Sequence, residues 1–134
     1  MPEIDLRNLQ GDEVKVTPIE DRVLLIMFFS PACNECYSFM LNMEERQGSD
    51  AAQKLSFVAI ASGNYNTDPL KKIIQKYNIS FPVLIDPTDS LRKKFGKFPI
   101  LPITYLVTTK GLVVKQYLGH PDLDHLELDV EQFL

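Results

Sequence analysis

Cys33 and Cys36 are the only cysteines of the chain, and they stand two residues apart in Cys33-Asn34-Glu35-Cys36. They follow the most apolar run of the sequence, Val23-Leu24-Leu25-Ile26-Met27-Phe28-Phe29, after a short Ser30-Pro31-Ala32 connection. A thiol pair between a buried strand and the start of a helix lies where unpaired backbone amides favour negative charge. Such a cysteine can have its pKa lowered from about 8.5 to between about 3.5 and 7.5. The second cysteine, one helical turn on, can reach the first. The expected chemistry is thiol–disulfide exchange: Cys33, the outer sulfur, attacks a disulfide, and Cys36 resolves the mixed disulfide that results. Two plainer readings stand beside it. Both thiols could be buried and inert, although polar Asn34 and Glu35 between them argue otherwise. A metal site would need more ligands, and His120 and His125 lie far along the chain without paired zinc spacing. His120, in Gly119-His120-Pro121, reads as a solvent-exposed turn histidine. No metal and no cofactor are expected.

The elements that must position this pair are legible in the pattern. Residues 4–16 read as a hairpin turning at Gln10-Gly11-Asp12-Glu13. Val23–Phe29 lacks alternation, as expected of a strand buried on both faces. From Asn34 to Arg46, Tyr37, Met40, Leu41 and Met43 recur at helical spacing, and Gln47-Gly48-Ser49-Asp50 ends the helix. Leu55–Ala61 is a second buried strand. Asp68 is placed to cap a helix with Pro69 at its first position, its apolar face being Leu70, Ile73, Ile74 and Tyr77. Phe81–Ile85 is a third strand, and Asp89 or Thr88 starts a helix through Phe95. Ile103–Thr108 and Leu112–Leu118 flank Thr109-Lys110-Gly111 as a hairpin. Leu123, Leu126, Leu128, Val130 and Phe133 suggest a closing helix, with Leu126 and Leu128 packing inward. This order predicts an α/β fold, a mixed central sheet flanked by helices, in one domain over residues 1–134. In open α/β sheets, sites lie beyond the carboxyl ends of central strands, where Cys33 falls.

Composition sets outer bounds. The chain has 134 residues, 45% of them hydrophobic and 24% charged, an ordinary globular mixture that excludes an unfolded polyelectrolyte. The formal net charge of −4, with no basic stripe interleaved with aromatics, points away from nucleic acid as a partner. The longest unbroken apolar stretch has seven residues, too short for a membrane span. Met1-Pro2-Glu3-Ile4-Asp5 has neither a basic start nor an apolar core. That fits a cytoplasmic protein or a trimmed mature domain from outside the cytoplasm.

With these parts in order, the chain resembles the thioredoxin-like superfamily, and within it the TlpA/ResA type of thiol:disulfide oxidoreductase. The resemblance rests on the hairpin Leu6–Val16, the strand Val23–Phe29 and the Cys33–Cys36 helix. It extends over Asp68–Asp86 as the inserted helix and strand, and over Leu101-Pro102-Ile103-Thr104-Tyr105-Leu106-Val107. It implies that Pro102 is cis and packs beside the cysteines, turning the Leu101 backbone toward an extended substrate. Pro99 is the competing proline, three residues too early; a trans Pro102 at a strand start is the plain alternative. The resemblance further implies protein thiols and disulfides as partners, an upstream thiol protein as electron donor, and an extracytoplasmic location. Some positions depart from the family. Ala32 stands where Trp is usual, and Glu35 where many members have Pro. Met27 occupies the place of a buried Asp or Asn, and Phe39 that of a Glu. Ala32, Asn34 and Glu35 are therefore the residues expected to tune the pair. A carboxylate at Glu35 disfavours the Cys33 thiolate and makes the pair more reducing.

The leading expectation is thus a reductant of protein disulfides. A non-catalytic thioredoxin-like interaction module with a structural disulfide is the second reading, favoured by the absent acid and Trp. A peroxidase on the same fold is the third; Ser30 stands three residues before Cys33, but Ile26 occupies the place of the required proline.

Overall fold

A computed structural model describes residues 1–47, 53–97 and 100–134. The chain forms a seven-stranded sheet in the order β2-β1-β5-β4-β3-β6-β7. Its centre is β3 (Val23–Phe29), no residue of which is more than 2% exposed. The strand buries both faces because its alternate residues feed two cores. Val23, Leu25, Met27 and Phe29 join the core beneath α1 (Asn34–Glu45), α2 (Asp68–Lys76) and α4 (Leu123–Phe133). Leu24, Ile26 and Phe28 join the core shared with α3 (Ser90–Phe95) and the β1–β2 hairpin. The uninterrupted apolar run thus has a physical cause: each face of the strand is covered.

β4 (Leu55–Ser62) runs parallel to β3, and β5 (Val83–Asp86) parallel to β4, so three carboxyl ends emerge at one edge. β6 (Ile103–Val107) runs antiparallel to β3, with Ile103 opposite Phe28, which brings its start to that same end. β7 (Val113–Leu118) pairs with β6 as a hairpin. At the other side, β1 (Ile4–Asn8) pairs with β5 and with β2 (Glu13–Val16), as the N-terminal hairpin pattern predicts.

Several local expectations shift. The helix stop at Gly48-Ser49-Asp50 and the competing Pro99 lie outside the described residues. α2 begins one residue earlier than expected: Thr67 is its cap position, Asp68 is already helical, and the Asn66 side chain receives the Asp68 amide at 3.1 Å. Tyr77 is not on the buried face. It is 44% exposed, with Lys76 over its ring at 5.2 Å, because the helix ends there. Leu128 is likewise no packing residue: α4 buries Leu126 and Val130, and leaves Leu128 69% exposed. Asp89 does cap α3, but its side chain makes no capping bond. Buried Asp86 does that work, accepting the Leu91 amide at 3.0 Å and the Arg92 amide at 3.2 Å.

Candidate functional site

The site begins where β3 ends. After Phe29 the chain leaves the sheet through Ser30, whose carbonyl accepts the Cys33 amide at 2.9 Å and whose hydroxyl accepts the Ala32 amide at 3.2 Å. This tight connection delivers Cys33 to the cap position of α1 in an extended conformation. Tyr37, one turn into the helix, holds the connection from below. Its hydroxyl donates to the Pro31 carbonyl, and its ring meets Phe29 edge-on at 6.2 Å. Burial pushes the Tyr37 phenol up, so it stays a neutral donor.

Cys33 and Cys36 form a disulfide, with their Cα atoms 5.3 Å apart. Their environments differ. Cys36 is fully buried in the core beneath α1, whereas Cys33 is half-buried at the helix end. The Cys33 sulfur accepts the Cys36 backbone N–H at 3.2 Å, so the cysteine acts as the side-chain cap of its own helix. That same amide would hold a thiolate in the reduced state, where the positive end of the helix adds to it. One sulfur reaches solvent, and the other faces the protein. The reading of two sealed, inert thiols does not fit this asymmetry.

The tuning positions Ala32, Asn34 and Glu35 are all exposed around Cys33. Glu35 makes no hydrogen bond or ion pair among the described residues. Met27 is fully buried in the α1-side core, and Ile26 is fully buried on the opposite face. The Leu101–Pro102 peptide bond is cis, as the resemblance implies. Both residues are half-buried at the start of β6, next to the Ile103–Phe28 pair and so at the strand end from which Cys33 departs. The Pro102 carbonyl is held by the Gly119 amide at 2.8 Å. Among the described residues no cluster of three or more His, Cys, Asp or Glu could hold a metal ion.

One neighbour of the site is not legible in the pattern. His120 is exposed, as its turn suggests, but its ring stacks on Phe39 at 4.9 Å with the planes 21° apart. Phe39 lies one turn beyond Cys36 on α1. His120 and Glu35 thereby line the same groove, about 330 Å³ in volume.

Fold and cysteine geometry together define a thioredoxin-like protein with a dithiol/disulfide pair. The AhpC/TSA family model matches residues 1–116, and the chain belongs to this family. It is similar to the thiol-disulfide oxidoreductase ResA of Halalkalibacterium halodurans, 26% identical over 114 residues, covering 85% of this chain and 64% of that relative's length. Among solved structures, it resembles a thiol:disulfide interchange protein of the thioredoxin family from Chlorobium tepidum, with a TM-score of 0.80, 18% identity and coverage of 98% of this chain and 93% of that one. It also resembles the exposed lipoprotein thioredoxin of Streptococcus pneumoniae, with a TM-score of 0.76, 17% identity and coverage of 98% and 99%.

Proposed function

We propose that the protein is a thiol:disulfide oxidoreductase that reduces protein disulfides. The observation that carries this reading is the asymmetry of the pair: a half-exposed Cys33 sulfur under a helix amide, bonded to a fully buried Cys36. In the reduced state the Cys33 thiolate attacks one sulfur of a substrate disulfide. The substrate's other sulfur leaves as a thiolate and takes a proton. Cys36 then loses its proton and attacks Cys33, which frees the substrate as a dithiol and leaves Cys33–Cys36 oxidised. Two electrons pass from the protein to the substrate, and an upstream thiol protein returns them. The names of the relatives support the activity.

Leu101 and Pro102, at the same strand end, are the surface on which an extended substrate segment would lie beside Cys33. Ala32 gives that surface no large ring, so contact there is left to the substrate backbone. The location we infer is extracytoplasmic, supported by the likeness to the exposed pneumococcal lipoprotein. No helix among the described residues is long and apolar enough to cross a membrane.

Reduction of insulin by dithiothreitol, followed as turbidity, tests the activity. The protein is expected to accelerate precipitation, and the Cys33→Ser variant to return it to background. No acceleration by the unmodified protein would instead leave a scaffold that keeps a structural disulfide.

A further inference from the structure

Between Asp89 and Asp122 the chain holds six of its fourteen Lys and Arg and none of its eighteen Asp and Glu. The rest of the molecule therefore carries eight cations against eighteen anions, so this stretch is positive on an acidic protein. Two of the six cations are engaged, Arg92 with Asp89 and Lys115 with Asp129 at 3.9 Å. Lys110 lies in the β6–β7 turn, at the end of the sheet away from the cysteines. Lys93, Lys94 and Lys97 are exposed and form no ion pair among the described residues. Lys93 adds to the positive field on Asp89, whose carboxylate Arg92 already holds. The end of α3 that carries these lysines lies at the site. Phe95, the last residue of α3, packs against Phe28 at 5.3 Å and Tyr105 at 5.1 Å. Phe28 is the next-to-last residue of β3 and pairs with Ile103, the neighbour of Pro102. Phe95 and Leu101 pack against the same core. Cations at a helix carboxyl end are favourable in themselves. That accounts for Lys93 and Lys94. It does not account for Lys97, which lies beyond the helix, or for the lack of any acid up to Asp122.

We infer that Lys93, Lys94 and Lys97 are a docking surface for an acidic flank of the substrate, so that the preferred substrates are protein disulfides with Asp or Glu close to one of the cysteines. This specificity rests on the proposed reduction of protein disulfides, with Leu101 and Pro102 as the surface on which the substrate lies, and adds the charge the substrate carries there. Lysines that hold no ion pair of their own can meet an incoming carboxylate without breaking one. Complementary charge of this kind speeds encounter and fixes register. On the α1 side of the cysteines the exposed charges have the opposite sign, those of Glu35 and Asp122. An acidic flank is therefore drawn toward α3 and repelled from α1, which gives the bound segment a direction. An anionic membrane is a poorer fit. Three lysines fall short of the roughly four to eight of a polybasic membrane site, and the acidic remainder of the molecule is repelled by such a surface.

Matched synthetic peptides, each closed by one disulfide, test this with three Glu or three Lys on the amino or the carboxyl side of the ring. The reduced protein is mixed with each peptide and the reaction quenched with acid. Each rate is divided by that of the same peptide with dithiothreitol, which has no docking surface. In at least one orientation the Glu peptide is expected to be reduced about three- to tenfold faster than its Lys counterpart at low salt. The difference should collapse at about 0.5 M salt, where exposed charges are screened. The triple variant Lys93→Glu/Lys94→Glu/Lys97→Glu should invert the ratio, and Lys93→Gln/Lys94→Gln/Lys97→Gln should abolish it. A ratio taken within one protein is unaffected by loss of active fraction. Equal rates for Glu and Lys peptides in both orientations would overturn the inference and leave the reductant in place. So would a preference for Glu that survives both triple variants. Lysine-dependent binding to phosphatidylserine vesicles without discrimination among the peptides would overturn it in favour of a membrane contact. If the reduced protein acts on none of the peptides that dithiothreitol reduces, the proposed activity itself falls and takes this specificity with it.

Discussion

At the scale of single residues, the proposed nucleophile Cys33 is expected to take its reactivity from the charge around it. A helix amide donates to its sulfur, and Glu35, two residues on in the sequence, is exposed in the first turn of the same helix. Removing that carboxylate stabilises the thiolate. Glu35→Gln is therefore expected to speed alkylation of reduced Cys33 at neutral pH by about two- to threefold, the scale of an exposed charge partly screened by water. It should also make the pair more oxidising, because a more stable thiolate favours the reduced form. Unchanged alkylation and an unchanged potential against glutathione would show that Glu35 does not reach the sulfur electrostatically. The cysteine pair and its place at the start of a helix are legible because spacing, position after an apolar strand and polar intervening residues all agree. The stacking of His120 on Phe39 is not. Those residues are distant in the chain, and only the Gly119 turn and the β6–β7 pairing bring them together.

At the scale of elements, the carboxyl ends of β4 and β5 are braced by polar groups that burial would ordinarily penalise. Asp86, 1% exposed, spends its carboxylate on the first amides of α3. Asp89, in the left-handed region at φ +62°, pairs with Arg92 and receives the Ser62 hydroxyl from the end of β4. The Arg92 guanidinium holds the Asp89 carboxyl below its usual value, against an opposing effect of burial. A carboxyl depressed in the folded state contributes stability above its unfolded pKa of about 3.9, and that contribution is lost as pH falls through the lower folded value. Asp89→Asn keeps a residue that tolerates the left-handed backbone but removes the charge. It is expected to cost about 1–3 kcal/mol at pH 7 in urea unfolding. That difference should shrink below about pH 4. A constant difference down to pH 2 would contradict the ion pair as its source. Hydrophobic pattern locates the strands and helices here, since burial dictates period. It does not reveal this network, because Asp86 reads as a strand-ending residue and Asp89 as a cap. Pattern also misassigns Tyr77 and Leu128, which keep the helical period but stand at a helix end and on an outward face.

At the scale of the whole molecule, the redox state of one small loop is linked to the stability of the entire sheet. A disulfide closing so short a loop restrains the unfolded chain little, at most about 2 kcal/mol. The balance between the oxidised and reduced folds therefore depends on what the fold does to the reduced pair. In the reduced fold Cys33, as the proposed thiolate, is expected to carry its charge two residues from the Glu35 carboxylate, which disfavours reduction within the folded protein. The oxidised protein is expected to unfold at a higher urea concentration than the dithiothreitol-reduced protein, as a reductant requires. A more stable reduced form would mark an oxidant instead. The most direct test of the central claim, that Cys33 captures and Cys36 releases, is mass spectrometry of the Cys36→Ala variant after reduction and exposure to oxidised insulin. The account predicts a mixed disulfide mapped to Cys33 that persists in the absence of added thiol and does not form with the Cys33→Ser variant. An adduct on Cys36 in the Cys33→Ser variant, together with none on Cys33 in the Cys36→Ala variant, would contradict it.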